Sequence, residues 1–331
     1  MIWLQFLISS AVIVLAAMQL AKFADAIALR SGLGRLFIGA ILLASATSMP
    51  ELLTGLSSFR QGVPNLTVGN LMGSNLFNIV LLALADIASR EPRMLRMITK
   101  RHAVSGSLTL MMIALMVFFL AANIDVSFGW VGLDSLILIA VYVGSIRLLQ
   151  GNLGPFEPSG PEDLEEMGDG VPTLRNSIIG FALATAVLGA VSPMLVSSSA
   201  AIAEATGLGT SFVGTTLVAI STSLPEVVTT IQLVRIGADD MAVGNLFGSN
   251  MFNMFLLGAL DFFYTEGRLI GTADPSFVLV GLLGMVMNAI ALVGNVAKLE
   301  RRIWIFEIDA TLLLFVYILG LAFLYSRGIA L

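Results

Sequence analysis

The stretch TSMPELLTGL at residues 47–56 interrupts an apolar run that begins near Phe37 with a proline and, directly after it, a glutamate. Proline removes a backbone donor and breaks the helical hydrogen-bond ladder, and hydrocarbon strongly disfavours a carboxylate. The same pair of defects returns in TSLPEVVTTI at 222–231. At a constant offset of 175, GLGRLFIGAILLASATSMPELLT (32–54) lies over GLGTSFVGTTLVAISTSLPEVVT (207–229) with 12 of 23 positions identical. VGNLMGSNLFNI (68–79) then lies over VGNLFGSNMFNM (243–254) with 9 of 12 identical. Glu51 pairs with Glu226, Pro50 with Pro225, Asn78 with Asn253 and Asp86 with Asp261. An internal repeat of this strength governs the reading of the whole chain.

Around these blocks the sequence is that of a membrane protein. Of 331 residues 57% are hydrophobic and only 12% charged, and the mean hydropathy is +0.95. Stretches long enough to cross a hydrocarbon core of about 30 Å fall near 4–28, 36–58, 65–88, 104–123, 128–149, 177–203, 210–233, 241–264, 276–297 and 304–325. Strands of a transmembrane barrel are about half as long and alternate in polarity. The expected fold class is therefore all-α integral membrane, with ten transmembrane helices. The opening MIWLQFLISS has no basic segment and no small-residue cleavage site, so it reads as the first span and not as a removable signal.

Five spans in each copy is an odd number, so the second copy meets the membrane from the opposite side. The chain thus reads as two inverted five-helix repeats, at 1–150 and 173–331, joined by an acidic, Gly- and Pro-rich linker at 151–172. Inverted repeats place two half-sites around an axis in the membrane plane, with interrupted helices meeting near the midplane. Lys and Arg placement sets the orientation: with both termini outside, inside loops carry 13 basic residues and outside segments 3. The expected location is a plasma or inner membrane, multi-pass, with the lipid bilayer as the surrounding partner.

The doubled defect has a chemical use. Without a proline N–H, the carbonyls of Ala46 and Ser221 lose their helical partners. Thr47 and Ser48, or Thr222 and Ser223, add hydroxyl oxygens, and Glu51 and Glu226 add charge. Two carboxylates about 8 Å apart at an effective dielectric near 20 repel by about 2 kcal/mol, so cations or protons must neutralise them. Carboxylate, hydroxyl, amide and carbonyl oxygens suit hard ions such as sodium and calcium.

The paired TS-x-PE and GN-x-x-GSN-x-x-N blocks resemble the alpha-repeats of the calcium:cation antiporter superfamily, in particular its prokaryotic sodium/calcium exchanger branch. The resemblance runs over nearly the whole chain in span count, repeat order and linker position. It implies a core of the second, third, seventh and eighth spans around the ions, across which the first and sixth spans slide. Carried over by position, the calcium ligands are Glu51 and Glu226 with oxygens of Thr47 and Thr222. Sodium ligands add Ser48 and Ser223, the carbonyls of Ala44 and Ala219, Ser74 and Ser249, and a central position near Asn78 and Asn253. Two departures stand out. Both central amides are neutral here, where one can be an aspartate in the family, and the glycine before each Thr-Ser pair is replaced by Ala46 and Ser221.

The implied function is calcium/sodium antiport by alternating access, by a monomer, with no cofactor beyond the transported ions. A proton-coupled exchanger, or one carrying another divalent such as manganese or magnesium, keeps the same architecture. A channel with an acidic ring is a different class. No enzyme is expected: there is no cysteine, His102 is the one histidine, and no nucleophile stands beside a base. Zero cysteines exclude disulfides and thiolate metal sites, and nothing suggests nucleic-acid binding. Gly69/Gly73 and Gly244/Gly248 fit close helix packing. Asn75 and Asn250 are either packing or ligand residues. Asp86 and Asp261 read as solvated or vestibule groups at span ends, Asp25 and Glu204 as interfacial, and the basic cluster Arg90–His102 as a headgroup-facing connector.

Overall fold

The computed structural model describes residues 1–88, 100–152, 171–206, 220–297, 302–303 and 306–328. Among these, helices dominate: α1 (Ile2–Ser31), a second span assembled from α2 (Arg35–Phe37), a π-helical turn (Ile38–Leu43), α3 (Ala44–Thr47) and α4 (Met49–Arg60), then α5 (Pro64–Ala88), α6 (Lys100–Ala122) and α7 (Leu133–Asn152). The second part holds α8 (Leu174–Ala205), α9 (Leu224–Arg235), α10 (Asp239–Asp261), the short α11 (Leu269–Thr272), α12 (Phe277–Ala297) and α13 (Ile308–Ser326). Six helical segments among the described residues are long and apolar enough to cross a membrane, and Phe277–Val293 and Ala310–Ser326 form shorter apolar helices. Residues 153–170 of the expected linker and residues 207–219, which include the start of the expected seventh span at 210, lie outside the described residues.

Burial sorts the helices. In α5, 89% of the most apolar window is inside the protein, against 33% for α1 and 28% for α8. The centre is thus α5 with α10, whose faces carry the repeated Asn, Ser and Gly residues. The long helices α1 and α8 pack along one another on the outside. They show large apolar side chains outward, among them Leu4, Leu7 and Leu15 on α1 and Ile178, Ile179 and Leu183 on α8, as a lipid-facing surface requires. At 1.5 Å per residue, 30 and 32 residues span about 45 and 48 Å, longer than a hydrocarbon core of about 30 Å.

Close backbone contact fixes α10 against the second span. A Cβ at Gly244 would sit 2.7 Å from the Leu36 carbonyl, and one at Gly248 would collide with the backbone of Ala40. The small residues therefore let α10 lie directly on the π-helical turn.

Several expectations need correction. Asp261 is not solvated: it is fully buried, because its two oxygens accept from the backbone amides of Gly132 (2.7 Å) and Leu269 (2.6 Å), clamping a hairpin and α11 to the end of α10. Asp86 is buried as well. Asp25 is also buried, because Arg35 forks onto it at 2.7 and 3.3 Å. Residues 127–132 form a small hairpin, Ser127–Phe128 with Val131–Gly132, turned at Gly129 with φ +69°, so the fifth span begins at Leu133 rather than at 128. His102 is no connector residue: it lies inside α6, buried, with Nε2 2.7 Å from Asp240 Oδ1.

Candidate cation site

Both Thr-Ser-x-Pro-Glu stretches break their helices in the same way. Ser48 stands at φ −84°, ψ 12° and Ser223 at φ −83°, ψ 7°. Each break is followed by a fresh helix with proline in its first two positions, where a missing N–H costs nothing. Glu51 and Glu226 fall in the first turns of these new helices, α4 and α9. Their carboxylates thus sit at the positive end of a helix dipole, which offsets part of the cost of burying them. Both are 1% exposed.

The hydroxyls and amides of the two copies interlock around these carboxylates. Ser74 on α5 donates to Glu51 Oε1 at 3.2 Å, and Ser223 of the other copy donates to Ser74 at 3.2 Å. Ser48 donates to Glu226 Oε1 at 3.5 Å, while Thr47 lies 3.4 Å from the Ser249 hydroxyl. The arrangement is related but not identical on the two sides: the serine of α5 bonds its own copy's glutamate, whereas Glu226 is met by a serine of the first copy.

Eleven of the twelve candidate ligands are described, and all of them are buried: Ala44, Thr47, Ser48, Glu51, Ser74, Asn78, Thr222, Ser223, Glu226, Ser249 and Asn253. Ala219 lies outside the described residues. The Ala44 carbonyl already accepts from the Ser48 amide (3.1 Å) and the Thr47 hydroxyl (3.3 Å), so a cation there would share that oxygen. Asn75 and Asn250 are resolved in favour of hydrogen bonding: each donates Nδ2 to the other's backbone carbonyl, at 3.3 and 3.2 Å.

Asn70 and Asn245 belong to the same cluster. Asn70 Oδ1 accepts from Thr222 at 3.1 Å, and Asn245 Oδ1 accepts from Thr47 at 3.4 Å. Each amide from one copy thereby holds the motif threonine of the other. Their coincidence under the 175 offset is the signal that marks them in the sequence; residue type alone does not separate them from packing amides.

Among the described residues, four buried oxygens in this network have no hydrogen-bond partner: Glu51 Oε2, Glu226 Oε2, Asn78 Oδ1 and Asn253 Oδ1. An unsatisfied buried acceptor costs about 1–3 kcal/mol, and more when charged. Two such pairs, matched across the repeat, form an acceptor set with the chemistry of a hard-cation site. Among the described residues no group of three or more His, Cys, Asp or Glu occurs, so any cation here leans on hydroxyl and amide oxygens beside the two carboxylates.

The family described as "Sodium/calcium exchanger protein" matches residues 1–149 and 176–326. The putative antiporter CaxA of Alkalimonas amylolytica is 27% identical over 285 residues, 84% of this chain and 86% of that protein. The sodium/calcium exchanger MaX1 of Methanosarcina acetivorans is 26% identical over 280 residues, 73% of this chain and 77% of that one. A solved structure of the sodium-calcium exchanger NCX_Mj, soaked with sodium and strontium, shares the fold at a TM-score of 0.72 and 22% identity, covering 97% of this chain and 99% of that one.

Proposed function

Because this chain belongs to the sodium/calcium exchanger protein family, a family of membrane ion exchangers, we propose that it is a secondary antiporter exchanging calcium for sodium by alternating access. The ions bind between the two copies of the repeat, in ten spans arranged as two inverted five-helix halves with both termini outside. Glu51 and Glu226 are the shared charged ligands. Thr47, Thr222, Ser48, Ser223, Ser74, Ser249, the Ala44 and Ala219 carbonyls and the amides Asn78 and Asn253 complete the calcium and sodium positions.

The observation that carries this reading is the set of four buried, unpartnered acceptor oxygens on Glu51, Glu226, Asn78 and Asn253. Two carboxylates balance one divalent cation or two monovalent ones, so calcium and sodium exclude each other, and that competition couples their fluxes. An empty site leaves two negative charges without counter-charges in a water-poor interior. That penalty disfavours the occluded empty state and suppresses leak.

The test is calcium uptake into proteoliposomes with membrane potential clamped, under an outward sodium gradient and separately under an outward proton gradient. Sodium-driven uptake supports the proposal. Uptake driven by protons alone assigns the other coupling ion, and calcium flux without any counter-ion identifies a channel.

A further inference from the structure

Asn75 and Asn250 each engage both side-chain polar atoms, Nδ2 and Oδ1, at the contact between the two copies. Asn75 Nδ2 donates to the Asn250 backbone carbonyl, and Asn250 Nδ2 donates to the Asn75 backbone carbonyl. Each side-chain oxygen is then met by the amide of the other copy one turn further on: Asn78 Nδ2 to Asn250 Oδ1 and Asn253 Nδ2 to Asn75 Oδ1, both 2.9 Å. Amide oxygen and nitrogen are usually assigned from the surrounding network, and here the network leaves no choice. A backbone carbonyl carries no proton, so the atom of Asn250 facing the Asn75 carbonyl must be nitrogen. Its other atom is then oxygen, the atom of Asn78 facing it must be nitrogen, and the remaining atom of Asn78 must be an oxygen. The same chain of constraints runs through Asn75 to Asn253. Those remaining oxygens are two of the four unpartnered acceptors.

We propose that Asn75 and Asn250 are positioning residues that set the polarity of the central amides. Asn250 holds the oxygen of Asn78, and Asn75 holds the oxygen of Asn253, toward the cations. Reversing either central amide would turn an N–H₂ group, with its partial positive charge, on the ions. The proposal rests on the cation-site reading given above. It makes Asn75 and Asn250 act through their partners, with no contact of their own to an ion.

A double-mutant cycle separates this from simple helix packing. Purified protein is titrated with calcium, and separately with sodium, with thermal stabilisation giving the apparent affinity; calcium uptake gives KM and maximal rate. Asn250→Ala frees Asn78 to reverse and raises the calcium dissociation constant and KM about tenfold, a change of the order of one charge-assisted hydrogen bond. Combined with Asn78→Ala it adds nothing further. Asn250→Ala with Asn253→Ala loses clearly more affinity than either change alone, because Asn253 is not the amide that Asn250 holds. Should Asn250→Ala not yield folded protein, the mirrored cycle of Asn75→Ala with Asn253→Ala carries the same expectation.

Additivity of Asn250→Ala with Asn78→Ala overturns the proposal, as does a lowered melting temperature and maximal rate with unchanged affinity. Wild-type protein stabilised by neither calcium nor sodium overturns it together with the cation-site reading. Cation binding without coupled exchange overturns the transport reading alone.

Discussion

Ser48 donates its hydroxyl to Glu226 Oε1 at 3.5 Å across 178 positions of sequence. A residue at the break of one interrupted helix thus touches the carboxylate at the break of the other. Neither copy of the repeat completes the cluster alone, and the remaining oxygen of each glutamate has no hydrogen-bond partner among the described residues.

Removing one carboxylate charge therefore removes an attraction that the site cannot replace. Glu51→Gln and Glu226→Gln each lower calcium exchange by at least about 100-fold, a loss near 3 kcal/mol. In buffer free of calcium and sodium the same variants are at least as thermostable as the parent, because a neutral amide is cheaper to bury than a carboxylate. Transport assays and melting curves on the same preparations check both halves of the expectation. Exchange at near-parental rate in either variant removes that glutamate from the site.

Asn253→Asp replaces a donor facing Asn75 Oδ1 with a carboxylate oxygen. That contact, 2.9 Å in the parent, survives only if the new carboxyl carries a proton to donate. Exchange by this variant is closest to the parent at low pH and falls as pH rises and the proton is lost. A pH profile of uptake relative to the parent reads this directly, and a ratio independent of pH contradicts it.

Asp25 is buried and Arg35 is its partner at 2.7 Å, with the arginine side chain 33% exposed. Arg35→Ala leaves a buried carboxylate unpaired and destabilises the protein by about 1–3 kcal/mol, below the full cost of a deeply buried pair because water reaches the arginine. Arg35→Ala with Asp25→Asn recovers most of the loss. Thermal unfolding in detergent measures both.

Gly248→Ala drives a methyl group into the backbone of Ala40 and forces α10 away from the second span, costing about 1–3 kcal/mol. Gly144→Ala, whose Cβ meets nothing within 4 Å, is neutral or stabilising by up to about 1 kcal/mol, since alanine favours helix more than glycine does. Comparable melting temperatures for the two variants would remove the close-packing argument.

Most of the side chains that cluster at the candidate site are legible in the sequence because the duplication writes each chemical choice twice. Pro50 and Pro225 announce the breaks, and Glu51 and Glu226 sit one residue on. Less legible was what neutralises a polar residue elsewhere. Asp261 reads as a solvated group until Gly132 and Leu269 bring their amides to it from separate segments. Asp25 reads as interfacial until Arg35 folds back on it. In both cases the partner is fixed by tertiary packing, which no local pattern encodes. Asn70, Asn75, Asn245 and Asn250 share a residue type but divide into threonine holders and amide holders according to which face of α5 or α10 meets the opposite copy. The π-helical turn at Ile38–Leu43 likewise has no marker in IGAILL itself and arises where the backbone lies against α10.

The most direct measurement is an anomalous difference map from crystals soaked in strontium, a heavier divalent of calcium-like chemistry. The expected result is a peak between the two interrupted helices, within about 2.3–2.7 Å of Glu51 Oε2 and Glu226 Oε2, that fades when sodium is raised. A strontium peak elsewhere in the protein, or an occupied site unaffected by sodium, would contradict it.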